Sequence, residues 1–142
     1  MGRTAARSCA LCVEDRAMLV DLLPGWTLEM DRGPDWLFIR PVPPPAAPGV
    51  EVDLAEAIWE RMQQQFLHRV VVEMNQIPLL RSWLIGQLVM LHKRVAAQEG
   101  LMRLSGMSDA NQDVLHMVRL DDRFPQYADR GAAVMGHRPK PR

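Results

Sequence analysis

The chain has 142 residues, 48% of them hydrophobic and 24% charged, and its 17 basic and 17 acidic side chains leave a net charge of +0. That is the size of one domain able to bury a core, and the balanced charge offers no field to draw it to nucleic acid or anionic lipid. No apolar run approaches the roughly 18 to 20 residues of a membrane span, and Glu14, Asp15, Arg16 and Asp21 interrupt any secretory signal, so the cytoplasm is the expected compartment.

Residues 1–24 read as a flexible N-terminal extension. It carries both cysteines, Cys9 and Cys12, at a Cys-x-x-Cys spacing that suits half of a zinc site or a redox pair. A closed zinc site needs four ligands, and neither a second Cys pair nor a His-x3-5-His follows. Two free thiols are the expectation, with no metal and no cofactor. The domain proper is expected over 25–136, and the Pro-containing stretch 137–142 as a polar, frayed tail.

Trp26 to Met30 and Trp36 to Arg40 read as two strands joined by the turn-forming run Asp31-Arg32-Gly33-Pro34-Asp35, which predicts a hairpin. Five of the 11 prolines (41, 43, 44, 45 and 48) then force a loop. Asp53 reads as an N-cap with Glu56 as its capping-box partner, and Leu54, Ile58, Met62 and Phe66 repeat at helical spacing, predicting a helix over 54–67. Val70-Val71-Val72-Glu73-Met74 is a β-branched run of the kind that forms a buried central strand.

Ser82 reads as the cap of a second helix whose stripe is Leu84, Leu88, Leu91 and Val95, widened by Ile85 and Val89 and stopped at Gly100. Leu101 to Leu104 alternates as a strand, Ser108 caps a third helix carrying Val114, Leu115 and Val118, and Phe124 and Tyr127 lead into a last short helix over 129–135. The order ββαβαβαα implies right-handed crossovers that place the strands after residue 69 in parallel behind an antiparallel hairpin. The expected fold class is α/β, a single domain with a mixed β-sheet, an N-terminal hairpin and covering helices.

From Arg69 to Ala133 the chain resembles the STAS domain of bacterial anti-sigma factor antagonists. The residues that carry the likeness are Val70-Val71-Val72-Glu73, Ile77-Pro78-Leu79-Leu80, Ser82, Gly86-Gln87-Leu88, His92-Lys93-Arg94, Gly100-Leu101-Met102-Arg103-Leu104, Ser108, Val114-Leu115, Leu120-Asp121 and Phe124. The hairpin and first helix extend it to roughly residues 25 to 135. Where phosphorylated members of that family usually show Asp-Ser-Ser-Gly-Leu-Gly, this chain shows Arg81-Ser82-Trp83-Leu84-Ile85-Gly86. The proline loop also stands where the family's Gly-x-Leu-Asp would be.

The resemblance implies a regulatory module, not an enzyme, that binds a protein partner: an anti-sigma factor or a related kinase. It marks Ser82 as the candidate phosphorylation site and Arg81, Ser82 and Trp83 as candidate partner contacts. The residues alone allow Ser82 to be no more than an N-cap, Arg81 a solvated charge and Trp83 a core side chain. A scaffold of the same fold without phosphorylation is the alternative function, and an enzyme or small-ligand binder using the same loop as an anion site is a third. Catalytic arrangements fare worse: His92 lies ten residues beyond Ser82 on the same helix, about 15 Å away, too far to act as its base. Asp121-Asp122 reads as a turn, and no Gly-x-Gly-x-x-Gly, Walker loop or His-Glu-x-x-His occurs.

Overall fold

The computed structural model describes residues 18–22, 25–45 and 51–136. Six strands form one mixed sheet: β1 (Met18–Leu22), β2 (Trp26–Arg32), β3 (Leu37–Val42), β4 (Arg69–Glu73), β5 (Leu101–Ser105) and β6 (Gln126–Tyr127). Among the described residues four helices alternate with the later strands: α1 (Leu54–Gln65), α2 (Ser82–Ala97), α3 (Asp109–Met117) and α4 (Arg130–Met135). The strands lie side by side in chain order, β1, β2 and β3 antiparallel and β3 through β6 parallel. Three successive parallel crossovers of one hand, all advancing in the same direction, put α1, α2 and α3 on one face.

Alternation along the strands builds the core on that face. Trp26, Leu28 and Met30 of β2 and Leu37 and Ile39 of β3 are buried there, with Val70, Val72, Met102 and Leu104 of the parallel strands. The helices close over them with Leu54, Ile58 and Met62 from α1 and the expected stripe Leu84, Leu88, Leu91 and Val95 from α2. The opposite face holds a smaller cluster of Trp36, Val71, Tyr127 and Ala133, where α4 packs. Because both faces are covered at its position, the β-branched run of β4 is buried throughout from Val70 to Glu73, as a central strand requires.

Several sequence expectations are corrected. Residues 18–22, assigned to the flexible extension, form the edge strand β1, with Leu19 opposite Glu29 and Leu22 opposite Trp26. β6 adds a sixth strand of two residues beside β5, at Leu104 and Ser105. Cys9, Cys12 and the tail 137–142 lie outside the described residues.

The caps also differ. Asp53 precedes α1 but its side chain makes no cap hydrogen bond, and Glu56 instead pairs with Arg94 of α2 at 2.8 Å. The free N–H of Ala55 is met by Gln87 Oε1 of α2 at 2.8 Å, so a tertiary contact does the work of the box. At the end of α2 the left-handed residue is Glu99, with φ +59°, not Gly100. Gly100 is needed for a different reason: a Cβ there would collide with the carbonyl oxygen of His68 as the chain enters β5.

Candidate functional site

The candidate site sits where β4 passes into α2, at the ends of parallel strands where α/β folds commonly place their binding residues. After Glu73 the chain turns through residues 74–80 before the helix begins. Met74 N–H donates to Ser105 O at 2.8 Å and Ile77 N–H to Met74 O at 3.1 Å, which starts the turn. Ile77 and Leu80 plug into the core while Pro78 and Leu79 face outward.

Asn111 of α3 holds this loop in place. Its side chain is fully buried; Oδ1 accepts from Leu80 N–H at 2.9 Å and Nδ2 donates to Ile77 O at 3.1 Å. Ser108 caps α3 as expected, its Oγ accepting from Asn111 N–H at 3.2 Å, and so fixes the asparagine in turn. Asn111 was not singled out from the sequence. The signal was there: a polar residue four positions before buried Leu115, on the apolar stripe of its helix.

Ser82 is not the cap of α2. Arg81 is the N-cap, with extended φ −90° and ψ 161°, and Ser82 is the first helical residue. No side-chain cap hydrogen bond forms, and the first turn holds no acid. Arg81 and Ser82 are exposed side by side. Trp83 is turned inward: its ring meets that of Trp26 edge-on, centroids 5.7 Å apart, and its indole Nε1 is buried without a partner among the described residues. The structure thus brings Arg81 and Ser82 together at the surface and sends Trp83 to the rim of the core.

From Ser82 the exposed ridge of α2 continues through Gly86, Met90 and Lys93. A Cβ on Gly86 would meet nothing within 4 Å, and Met90 is 53% exposed. His92 lies ten residues further along α2 and stacks edge-on against Phe124 at 5.3 Å. Burial there, with Arg123 nearby, holds its imidazole below the ordinary value. Asp121 of the expected turn accepts a 2.9 Å contact from the exposed His116 ring, which raises the His116 pKa and lowers that of the carboxylate. No group of three or more His, Cys, Asp or Glu side chains suited to a metal occurs among the described residues.

A model of the STAS domain matches residues 49–133. The chain belongs to the STAS domain family. No curated protein sequence matches it. Among solved structures, this STAS domain is similar to the solution structure of the protein TM1081, with TM-score 0.64 and 12% identity over 95% of this chain and 96% of that one. It is similar to the crystal structure of a candidate anti-sigma factor antagonist from Thermotoga maritima, with TM-score 0.63 and 13% identity over 77% and 92%. The same holds for an anti-sigma factor antagonist from Mycobacterium paratuberculosis, with TM-score 0.63 and 14% identity over 82% and 97%. At such identities the likeness is one of fold.

Within this STAS domain the acidic end of the central strand is a structural anchor. Glu73 is buried, accepts from Arg130 Nε at 2.7 Å and Nη2 at 3.1 Å, and lies 3.3 Å from Arg40 Nη2. Arg130 also donates to Asp31 at 2.9 Å and covers the Phe38 ring at 4.4 Å. Hydrogen bonding to Glu73 raises the already high pKa of this guanidinium. The Glu73 carboxylate therefore stabilises the back of the sheet, and the surface at Arg81 and Ser82 is left as the candidate for contact. No helix of the described residues is long and apolar enough to cross a membrane.

Proposed function

We propose that this STAS domain is a regulatory protein-binding module that acts by partner switching, docking an anti-sigma factor or a related kinase at the N-terminal end of α2, with phosphorylation of Ser82 as the control. The observation that carries this reading is the exposure of Arg81 and Ser82 on a loop anchored from beneath by Asn111, so a partner meets backbone that is already ordered. The solved structures named as anti-sigma factor antagonists supply the partner class. The reading is one of binding and not catalysis, since His92 is about 15 Å along the helix from Ser82 and packs on Phe124.

The physics of the switch follows from the helix terminus. The first N–H groups of α2 have no helical acceptors, so a phosphate on the first helical residue lies against free donors and the positive end of the dipole, beside Arg81. It reverses the local charge that an approaching partner meets. Trp83 supports the site from behind, through Trp26, instead of reaching outward.

Ser82→Ala and Ser82→Asp separate the readings cleanly because Ser82 makes no cap bond, so the two variants differ mainly in charge. Used with the parent as baits in extracts of the source cell, alongside phosphopeptide mass spectrometry, Ser82→Ala is expected to retain the parent's partner and Ser82→Asp to lose it. Equal recovery by all three baits, with no phosphate on Ser82, would overturn the switch and leave an unphosphorylated scaffold.

A further inference from the structure

The opposite end of the sheet from Ser82 carries a second feature that partner switching does not use. Phe66, which ends α1, is 87% exposed and holds a left-handed backbone with φ +56°. A phenylalanine there combines backbone strain with an apolar ring in water, and glycine or asparagine would avoid both. Strain of this kind is kept where the residue has a task. Beside the ring lies an open hollow of about 300 Å³, lined by Asp35 of the β2–β3 turn, Phe66 itself, Leu67, His68 and Arg69. Leu101, 40% exposed at the start of β5, adds apolar surface next to it, its N–H donating to His68 O at 3.0 Å.

The hollow has one charge of each sign on its rim. Asp35 and Arg69 are both exposed, and neither has an ion-pair partner among the described residues; Arg69 lies over the Trp36 ring at 5.9 Å. Arg32, in the strand before the turn, reaches Gln65 O at 3.5 Å. A rim of a single sign would fit a partner of the opposite charge. A protruding ring, a hollow beside it and both signs of charge together make a patch that is complementary to itself, as a twofold contact requires.

We infer that a second copy of this chain covers the patch, forming a symmetric dimer about a twofold axis beside Phe66. Phe66 of each protomer fills the hollow of the other, and Arg69 of each meets the partner's Asp35, so the ring leaves water while both charges gain a counter-ion. A different protein with an acidic or a basic surface would satisfy one of these two charges and repel the other. The contact rests on one aromatic anchor and a small rim, which makes the dimer a weak one that depends on concentration. Because Ser82 lies at the other end of the sheet, the pair leaves the Arg81 and Ser82 surface open on both protomers and presents two docking sites at once.

Sedimentation of the full chain under reducing conditions, from about 1 μM to about 1 mM, is expected to show the mass doubling as concentration rises. Phe66→Asp, which suits a left-handed, exposed position better than phenylalanine and so leaves the fold intact, is expected to stay monomeric throughout. The symmetry gives a sharper measurement. Asp35→Arg alone sets arginine against arginine and Arg69→Glu alone sets acid against acid, so each variant is expected to be monomeric, whereas mixing the two restores both pairs and is expected to give a heterodimer. A parent chain that is still monomeric at about 1 mM overturns the inference. So does a dimer that survives Phe66→Asp, which would place the contact elsewhere, and so does a mixture of the two charge variants that stays apart.

Discussion

Arg130 grips Glu73 through two hydrogen bonds, from Nε at 2.7 Å and Nη2 at 3.1 Å, and so pins the short helix α4 across the back of the central strand β4. The two ends of this pair are unequally placed: the Glu73 side chain is 8% exposed and that of Arg130 37%. Removing the cation strands a buried carboxylate with Arg40 alone, whereas removing the carboxylate leaves Arg130 with Asp31 and solvent. Arg130→Ala is therefore expected to cost about 3 kcal/mol and Glu73→Met about 1 kcal/mol or less in urea unfolding. Equal losses, or the reverse order, would contradict the asymmetry.

Asn111 satisfies both a buried N–H and a buried carbonyl of the loop that leads to Ser82. Asn111→Ala should cost about 2 to 3 kcal/mol, because neither Leu80 N–H nor Ile77 O has another partner in that turn. Hydrogen exchange gives the sharper measurement. The Leu80 amide should lose its protection in the variant, while the amides of β4, held by β3 and β5, keep theirs.

Glu99 and Gly100 make opposite demands at adjacent positions. Glu99 occupies the left-handed region without being glycine, so Glu99→Gly is expected to raise stability by about 0.5 to 1 kcal/mol. Gly100→Ala drives a methyl into the His68 carbonyl and against Val95, at a cost of about 2 kcal/mol. Thermal melts of the two variants should move in opposite directions, and a shift of the same sign in both would refute the assignment.

Two histidines should titrate on opposite sides of the ordinary value of 6.5. His116 is raised by its hydrogen bond to Asp121, so the stability it contributes is present below 6.5 and is lost as pH rises through its folded value. His92 is lowered by burial, so the folded state resists its protonation and stability falls as pH drops below 6.5 toward its folded value. Ring resonances followed by NMR across this range would show both, and Asp121→Asn should return His116 toward 6.5 while leaving His92 unmoved.

Much of the fold was legible in the sequence because it rests on periodicity. The stripe Leu84, Leu88, Leu91 and Val95 and the run Val70-Val71-Val72 announce a packed helix and a central strand wherever they stand, since burying those faces is what makes them stable. The hairpin and the Ser108 cap are equally local and stand as expected, although the turn is shorter than the run from Asp31 to Asp35, because Asp31 and Arg32 pair with Phe38 and Leu37 and extend β2. The exposed pair Arg81 and Ser82 was readable for the same reason, from a polar break before an apolar helix.

What only the tertiary structure decided depends on partners remote in the chain. Residues 18–22 are a strand because β2 accepts their ladder, and Gln126–Tyr127 because β5 does; neither segment is long or regular enough to declare itself. Ser82 yields the cap to Arg81, Trp83 turns in to meet Trp26, Gln87 caps the neighbouring helix, and Glu73 finds Arg130 57 residues away. A hydrogen bond or ion pair between distant residues leaves no period in the sequence, so local pattern can place each residue on its element but not choose the one it will touch.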